Sequence, residues 1–263
     1  MRGPQHAVAP GMATTPPAES TSAPALPAAG ARGRGAATGH FEGLRMCSNY
    51  RAPTDMDRMQ RHFAVALDQP PAQAETWPLY RAPVVRRSGP APAPRDAALG
   101  QFGLLPHWAK DPALARRTYN ARSETAHEKP SFRDAWRKGQ RCIVPAEWIY
   151  EPCWETGKAV RWRIARADGA PLAIAGLWSR WQPAGGEPVV TFAMLTVHAG
   201  GHPLMQRFHK PDDEKRMVAV LDAADCDDWL DAPTATMASF LRALPAEALV
   251  AEPAPLPPRR RPA

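Results

Sequence analysis

Arg141-Cys142-Ile143-Val144-Pro145-Ala146-Glu147-Trp148-Ile149-Tyr150-Glu151-Pro152-Cys153-Trp154 is the stretch that decides the fold class. Two β-rich runs, 142–145 and 148–154, read as strands joined by a turn. Working outward, 160–166 alternates around Trp162 and Ile164, as a half-buried strand does. Residues 171–178 and 189–197 are apolar and β-rich, and 216–221 reads as one more strand. Upstream, 82–85 and 102–105 read as short strands, the second ended by Pro106. Helical spacing is rarer. It appears at 54–66 (Met56, Met59 and Phe63, with Thr54 as a cap), at 131–138, at 225–230 and at 234–244. Strands outnumber helices and do not alternate with them. That predicts an α+β domain with a curled, largely antiparallel sheet.

Composition bounds the domain. Residues 1–45 are rich in Ala, Pro, Gly, Ser and Thr and lack any apolar period, so they read as a disordered leader. No apolar run follows Arg2 as a secretory signal requires. Residues 246–263 read as a disordered Pro/Arg-rich tail. The domain expected between them is 46–245, and nine Trp with 44% apolar residues support a true core. The four Cys, at 47, 142, 153 and 226, show no C-x-x-C spacing. Neither a zinc site nor a disulfide framework is expected, and a reducing, cytoplasmic setting follows. No run approaches the ~20 apolar residues of a membrane span. The net charge of +7 favours polyanions.

That charge is concentrated. Between 107 and 141 lie nine basic and four acidic residues, interleaved with Trp108, Tyr119, Phe132 and Trp136. Basic groups track phosphates and aromatic faces stack on unpaired bases, the pattern of a single-strand-binding groove. Residues 131–138 also fit a solvated amphipathic helix with Phe132, Ala135 and Trp136 inward. The nucleic-acid reading therefore rests on 107–122.

Four places carry chemistry. Met46-Cys47 comes first, because removal of the Met leaves an N-terminal Cys with an α-amine and a thiol. The amine has a pKa near ~8 against ~10.4 for Lys, so more of it is neutral and nucleophilic at pH 7. It condenses with aldehydes, and the thiol then closes a five-membered thiazolidine. The bland alternative is a small buried hydrophobe. Tyr119-Asn120-Ala121-Arg122-Ser123-Glu124 offers an amide and a forked phosphate binder, or simply a turn and a helix cap. Glu147 to Pro152 holds Glu151 among aromatics, where burial suits acid–base work; the alternative is an edge carboxylate in water. His202-Pro203-Leu204-Met205-Gln206-Arg207-Phe208-His209 supplies a proton carrier. His198 and His202 are four apart, but Gly200-Gly201 breaks the helix that a zinc pair needs, so no metal is expected.

Taken in order, Met46-Cys47, Gly103-Leu104-Leu105-Pro106-His107-Trp108-Ala109, Tyr119 to Thr125, Arg141 to Ala146 with Tyr150-Glu151, and His202 to His209 resemble the SRAP family, the SOS response-associated peptidases or abasic-site processing proteins. The resemblance covers about 46–230. It implies a single α+β domain around a β-barrel-like sheet, with a basic cleft for single-stranded DNA and no cofactor. It implies that Cys47 traps abasic sites covalently, with Asn120 orienting the amine or sugar. Glu151 would transfer protons, and His209 would assist the sugar chemistry and any Schiff-base lyase step. Arg122 would bind a phosphate and Trp108 would stack near the lesion. The implied partner is single-stranded DNA with abasic sites, bound by a monomer in a bacterial cytoplasm and not at a membrane.

The chain departs from the pattern in places. Ser48-Asn49-Tyr50 follows Cys47 where many members have Gly-Arg-Phe, which makes Arg51 the nearest candidate DNA contact. Residues 210–215 separate His209 from Arg216-Met217, which usually follow almost at once. Two other functions fit the same residues: a thiol peptidase using Cys47 and His209, acting on itself or in trans, and a non-catalytic single-strand binder.

Overall fold

The computed structural model describes Gly3, residues 48–90 and residues 93–256. The chain divides into units at 1–40 and 41–263, and among the described residues every helix and strand belongs to the second. Cys47, the leader apart from Gly3, and residues 257–263 lie outside the described residues.

The elements run β1 (Asn49–Arg51), α1 (Met56–Phe63), β2 (Glu75–Thr76), β3 (Arg81–Arg87), β4 (Arg95–Phe102), β5 (Asn120–Arg122), α2 (Arg133–Arg137), β6 (Arg141–Ala146) and β7 (Trp148–Cys153). They continue with β8 (Val160–Arg166), β9 (Leu172–Trp181), β10 (Val189–His198), β11 (Arg216–Val218), β12 (Val220–Leu221), α3 (Asp225–Asp231) and β13 (Leu249–Pro253). Five strands close a ring: β10 pairs with β4, β4 with β3, β3 with β6, β6 with β9, and β9 returns to β10. Only the β10–β4 pairing in this ring is parallel. A second, antiparallel sheet runs β13-β8-β7-β1-β2. The α+β architecture with a curled, mostly antiparallel sheet is the one the sequence predicts.

The deciding stretch forms a bend between sheets, not a hairpin. β6 pairs with β3 and β9, whereas β7 pairs with β1 and β8. Glu147, the residue between them, donates its N–H to Arg51 O at 2.8 Å. Its carboxylate accepts from Arg58 of α1 at 3.0 and 3.1 Å. This bend carries the chain from the barrel to the sheet that bears Glu151.

Under the junction lies an aromatic group. Phe102 meets Tyr50 edge-on at 5.3 Å and Tyr119 at 5.7 Å, and stacks on Phe192 at 5.4 Å. All four are buried, each stabilising the fold by roughly 2 kcal/mol. They tie β1, β4, β10 and the start of β5 into one rigid support.

Several expectations need correction. The cap of α1 is Asp55, whose side chain accepts from Arg58 N–H, and Thr54 lies outside the helix. The strand expected at 102–105 lies upstream as β4, because Gly103 turns the chain at φ +106°. A Cβ there would meet Ala115 O at 2.3 Å. The segment 120–122, read as a turn, is strand β5 and runs parallel to β10. The strand at 216–221 breaks at Ala219, whose N–H donates to Leu195 O and whose carbonyl accepts from Ala175, so β11 serves β10 and β12 serves β9. The helix expected at 234–244 is a 3-10 segment over Thr234–Phe240. The tail expected from 246 instead contributes β13, paired with β8, so ordered pairing extends to Pro253. As expected, α2 turns Phe132, Ala135 and Trp136 inward.

Candidate active site

Glu151 and His209 meet. Glu151 sits on β7 and His209 just after a 3-10 turn at Met205–Arg207, and both are almost fully buried, at 1% and 4% exposure. His209 Nε2 lies 3.1 Å from Glu151 Oε2. Two features hold the histidine. Its N–H donates to Pro152 O at 3.0 Å, and Phe208 bridges to Cys153, so the segment is clipped along β7. Its backbone is left-handed at φ +64°, a conformation that costs a side-chain-bearing residue about 1 kcal/mol. Strain of this sort persists only where the surroundings over-determine it. The other ring nitrogen, Nδ1, is buried without a hydrogen-bond partner among the described residues. Such a pair is equipped to pass a proton in a site closed to water.

The chain enters this neighbourhood along β1. Asn49 pairs with Tyr150, and the preceding Ser48 is buried, so the register directs the chain toward Glu151. Asn49 is itself locked. Its amide donates to Thr76 O at 3.1 Å and accepts from Arg161 at 2.7 Å. Arg161 also binds Glu75 at 2.7 Å and lies 3.4 Å from the Tyr150 ring centroid. Sequence reading missed Arg161 and Asn49. In the alternating β8 pattern Arg161 looks solvent-facing, yet it is only 8% exposed. The one available signal was the Arg-x-Arg alternation opposite an aromatic strand.

The other expected residues take separate places. Asn120 begins β5, opposite Met194 of β10. Arg122 ends that strand, half exposed, with a guanidinium nitrogen 2.9 Å from Glu214. The same Glu214 and Glu124 grip Arg216, which is fully buried. Trp108 is exposed, on a loop propped by Leu105, Ala109, Ala115 and Trp181. Trp181 Nε1 donates to Ala109 O at 2.7 Å. Arg51 lies over the Trp148 ring at 5.1 Å, with Arg163 also within 4.9 Å of it.

The remaining candidates are structural. His202 uses both ring nitrogens, Nε2 toward Leu244 O at 2.8 Å and Nδ1 accepting from Met205 N–H at 3.2 Å, and so holds the turn before His209. Among the described residues no cluster of three or more His, Cys, Asp or Glu is placed to hold a metal. Cys142, Cys153 and Cys226 are free and buried. Burial pushes the thiols of Cys142 and Cys153 up, and that of Cys226 up to about 11. None of these three offers a thiolate at neutral pH. No helix among the described residues is long and apolar enough to cross a membrane.

A family model described as SOS response associated peptidase (SRAP) matches residues 46–255. The chain belongs to the SRAP family. Among SRAP relatives, "Abasic site processing protein YoqW" of Bacillus subtilis is 33% identical over 147 residues, which is 55% of this chain and 61% of that protein. "Abasic site processing protein HMCES" of Gallus gallus is 30% identical over 185 residues, 58% of this chain and 51% of that protein. The matched part thus spans between half and two thirds of these relatives. A solved structure from Bordetella bronchiseptica has 44% identity and a TM-score of 0.74, covering 80% of this chain and all of that one. One from Bacteroides thetaiotaomicron, at 24% identity and TM-score 0.67, shares the fold.

Proposed function

We propose that this SRAP domain processes abasic sites in single-stranded DNA, capturing them through Cys47 once Cys47 is the first residue of the mature chain. The ring-opened abasic sugar is an aldehyde. The α-amine attacks its C1′ carbon, and loss of one water gives a Schiff base. The thiol then adds to the same carbon, its proton passes to the nitrogen, and a thiazolidine closes. Ring opening of the sugar and dehydration of the carbinolamine each need a proton accepted and a proton given.

The observation that carries this reading is the buried Glu151–His209 contact beside the incoming β1 strand. Glu151 is the proton-transfer group. His209 backs it and assists any Schiff-base cleavage or reversal. Asn120 orients the amine or the sugar. Arg122, Trp108 and Arg51 are the DNA contacts, of which Trp108 has the exposed face that stacking needs. The relatives named as abasic-site processing proteins and the raised thiols of the other three cysteines point the same way.

Intact mass spectrometry of the protein with an abasic single-stranded oligonucleotide tests this directly. The expected product is a chain starting at Cys47 plus the oligonucleotide, less one water. Cys47→Ala should give no stable product, yet should still be trapped when borohydride reduces its Schiff base. A stable adduct on a chain that retains residues 1–46, or on Cys47→Ala without reductant, overturns the reading. The same spectra show whether loss of residues 1–46 depends on Cys47, which is what a self-cleaving peptidase requires.

A further inference from the structure

Residues 210–215 leave the sheet after His209 and return at β11, and Lys215 closes that excursion. Its main chain is anchored, because Lys215 O accepts from Ala199 N–H at 2.8 Å and the next residue, Arg216, is fully buried. From this fixed base the ammonium reaches back across the loop. Nζ donates to Phe208 O at 3.1 Å and to Lys210 O at 2.6 Å, and lies 3.5 Å from His209 O. An ammonium has three donors and no acceptor, so three carbonyls satisfy it. In extended chain, successive carbonyls point to alternate sides. Here the left-handed turn at His209 brings three to one side, and Lys215 meets all of them. The same loop carries Asp212, Asp213 and Glu214, yet no ion pair holds Lys215 among the described residues.

We propose that Lys215 is a positioning residue for His209. By binding the carbonyls on both sides of the strained histidine, it keeps the left-handed backbone populated and so holds the ring against Glu151. Phe208 and Pro152 fix the N-terminal side of the turn, and Lys215 fixes the C-terminal side. This deepens the capture reading above and rests on it for its kinetic consequence.

The test compares Lys215→Met with Lys215→Arg, which keeps charge and donors. Capture rate is measured at saturating abasic oligonucleotide, and DNA affinity separately in a Cys47→Ala background. The expected result for Lys215→Met is a rate about tenfold lower, with affinity within about twofold of the parent, because misplaced proton-transfer groups lose rate without losing binding. Lys215→Arg should restore most of the rate. An unchanged rate, a parallel fall in rate and affinity, or no rescue by Arg overturns the proposal. If Lys215→Met does not fold, Lys215→Gln replaces it. A single shorter amide cannot serve three carbonyls, so a wild-type rate there is equally fatal.

A second readout does not depend on the capture chemistry. In nitrogen-15 histidine spectra, the His209 ring signal, assigned by its loss in His209→Asn, should move in Lys215→Met and return in Lys215→Arg. If the parent protein captures no DNA but this shift occurs, the functional reading fails and the positioning role stands. If capture is intact and the signal stays put, the positioning role fails alone.

Discussion

Two charged groupings lie on either side of the 210–215 loop, one around the buried Arg216 and one around the buried His209, and they are built differently. Around Arg216 every donor of the guanidinium fork has a partner: Nε to Thr196 Oγ1, Nη1 to Glu124 and Glu214, and Nη2 to Glu124 and Thr196 O. Around His209 one ring nitrogen lies on Glu151 and the other is buried without a partner among the described residues. A saturated network has nothing left to give a substrate and serves to fix β5, β10 and β11. An unpaired ring nitrogen keeps hydrogen-bonding capacity in reserve, which costs stability and is the usual mark of a reacting site.

Three substitutions break or sharpen that contrast. The largest effect is expected from Glu151→Gln. The amide preserves shape but cannot exchange protons, so adduct formation should slow about a thousandfold while urea stability shifts by no more than about 1 kcal/mol. A large stability loss with unchanged chemistry would make the buried pair structural and erase the distinction. Arg216→Ala should do the reverse. It empties the fully buried Arg216 site and takes from Glu124 its guanidinium partner, while Glu214 keeps Arg122, and it removes about 3 kcal/mol of stability, read by urea unfolding. Capture by the fraction that remains folded should be much less affected.

The smallest effect concerns acid. Burial alone would raise the Glu124 pKa, but hydrogen bonds from Arg216 and neighbouring groups outweigh it and hold the carboxyl below its usual 4.5. A carboxyl depressed on folding contributes stability above its unfolded value and loses it as the pH falls toward the folded value. Wild type and Glu124→Gln should therefore differ in urea midpoint at pH 7, and the gap should narrow as the pH falls below 4.5. A constant gap across that range would mean that the saturated network is not the source.

Much of this was legible beforehand, and what was not has a common cause. Alternation and β-branched runs gave β6 to β10, because half-buried strands impose a period of two on their own residues. Glu151 and His209 were legible as chemistry-bearing types in sequence. Their contact was not, since it joins residues 58 apart through a left-handed turn that non-glycine sequence does not announce. The segment 120–122 reads as a turn because strand pairing with β10 is long-range and its residues are polar. Arg161 was hidden for the opposite reason. Alternation places it outside, but Asn49, Glu75 and the Tyr150 ring cover it. Lys215 carries no local signal at all, because its partners are backbone carbonyls.

β13 has a practical consequence for anyone trimming this protein. Residues 249–253 hydrogen-bond along 162–166 of β8 and form the outermost row of the second sheet. Shortening the gene at codon 246, as composition alone would advise, would strip that row and uncover a bare amide edge on β8. Exposed edges of this kind recruit strands from neighbouring molecules. Such a truncation would then fail by self-association in the tube, and an affinity handle is better appended after Ala263.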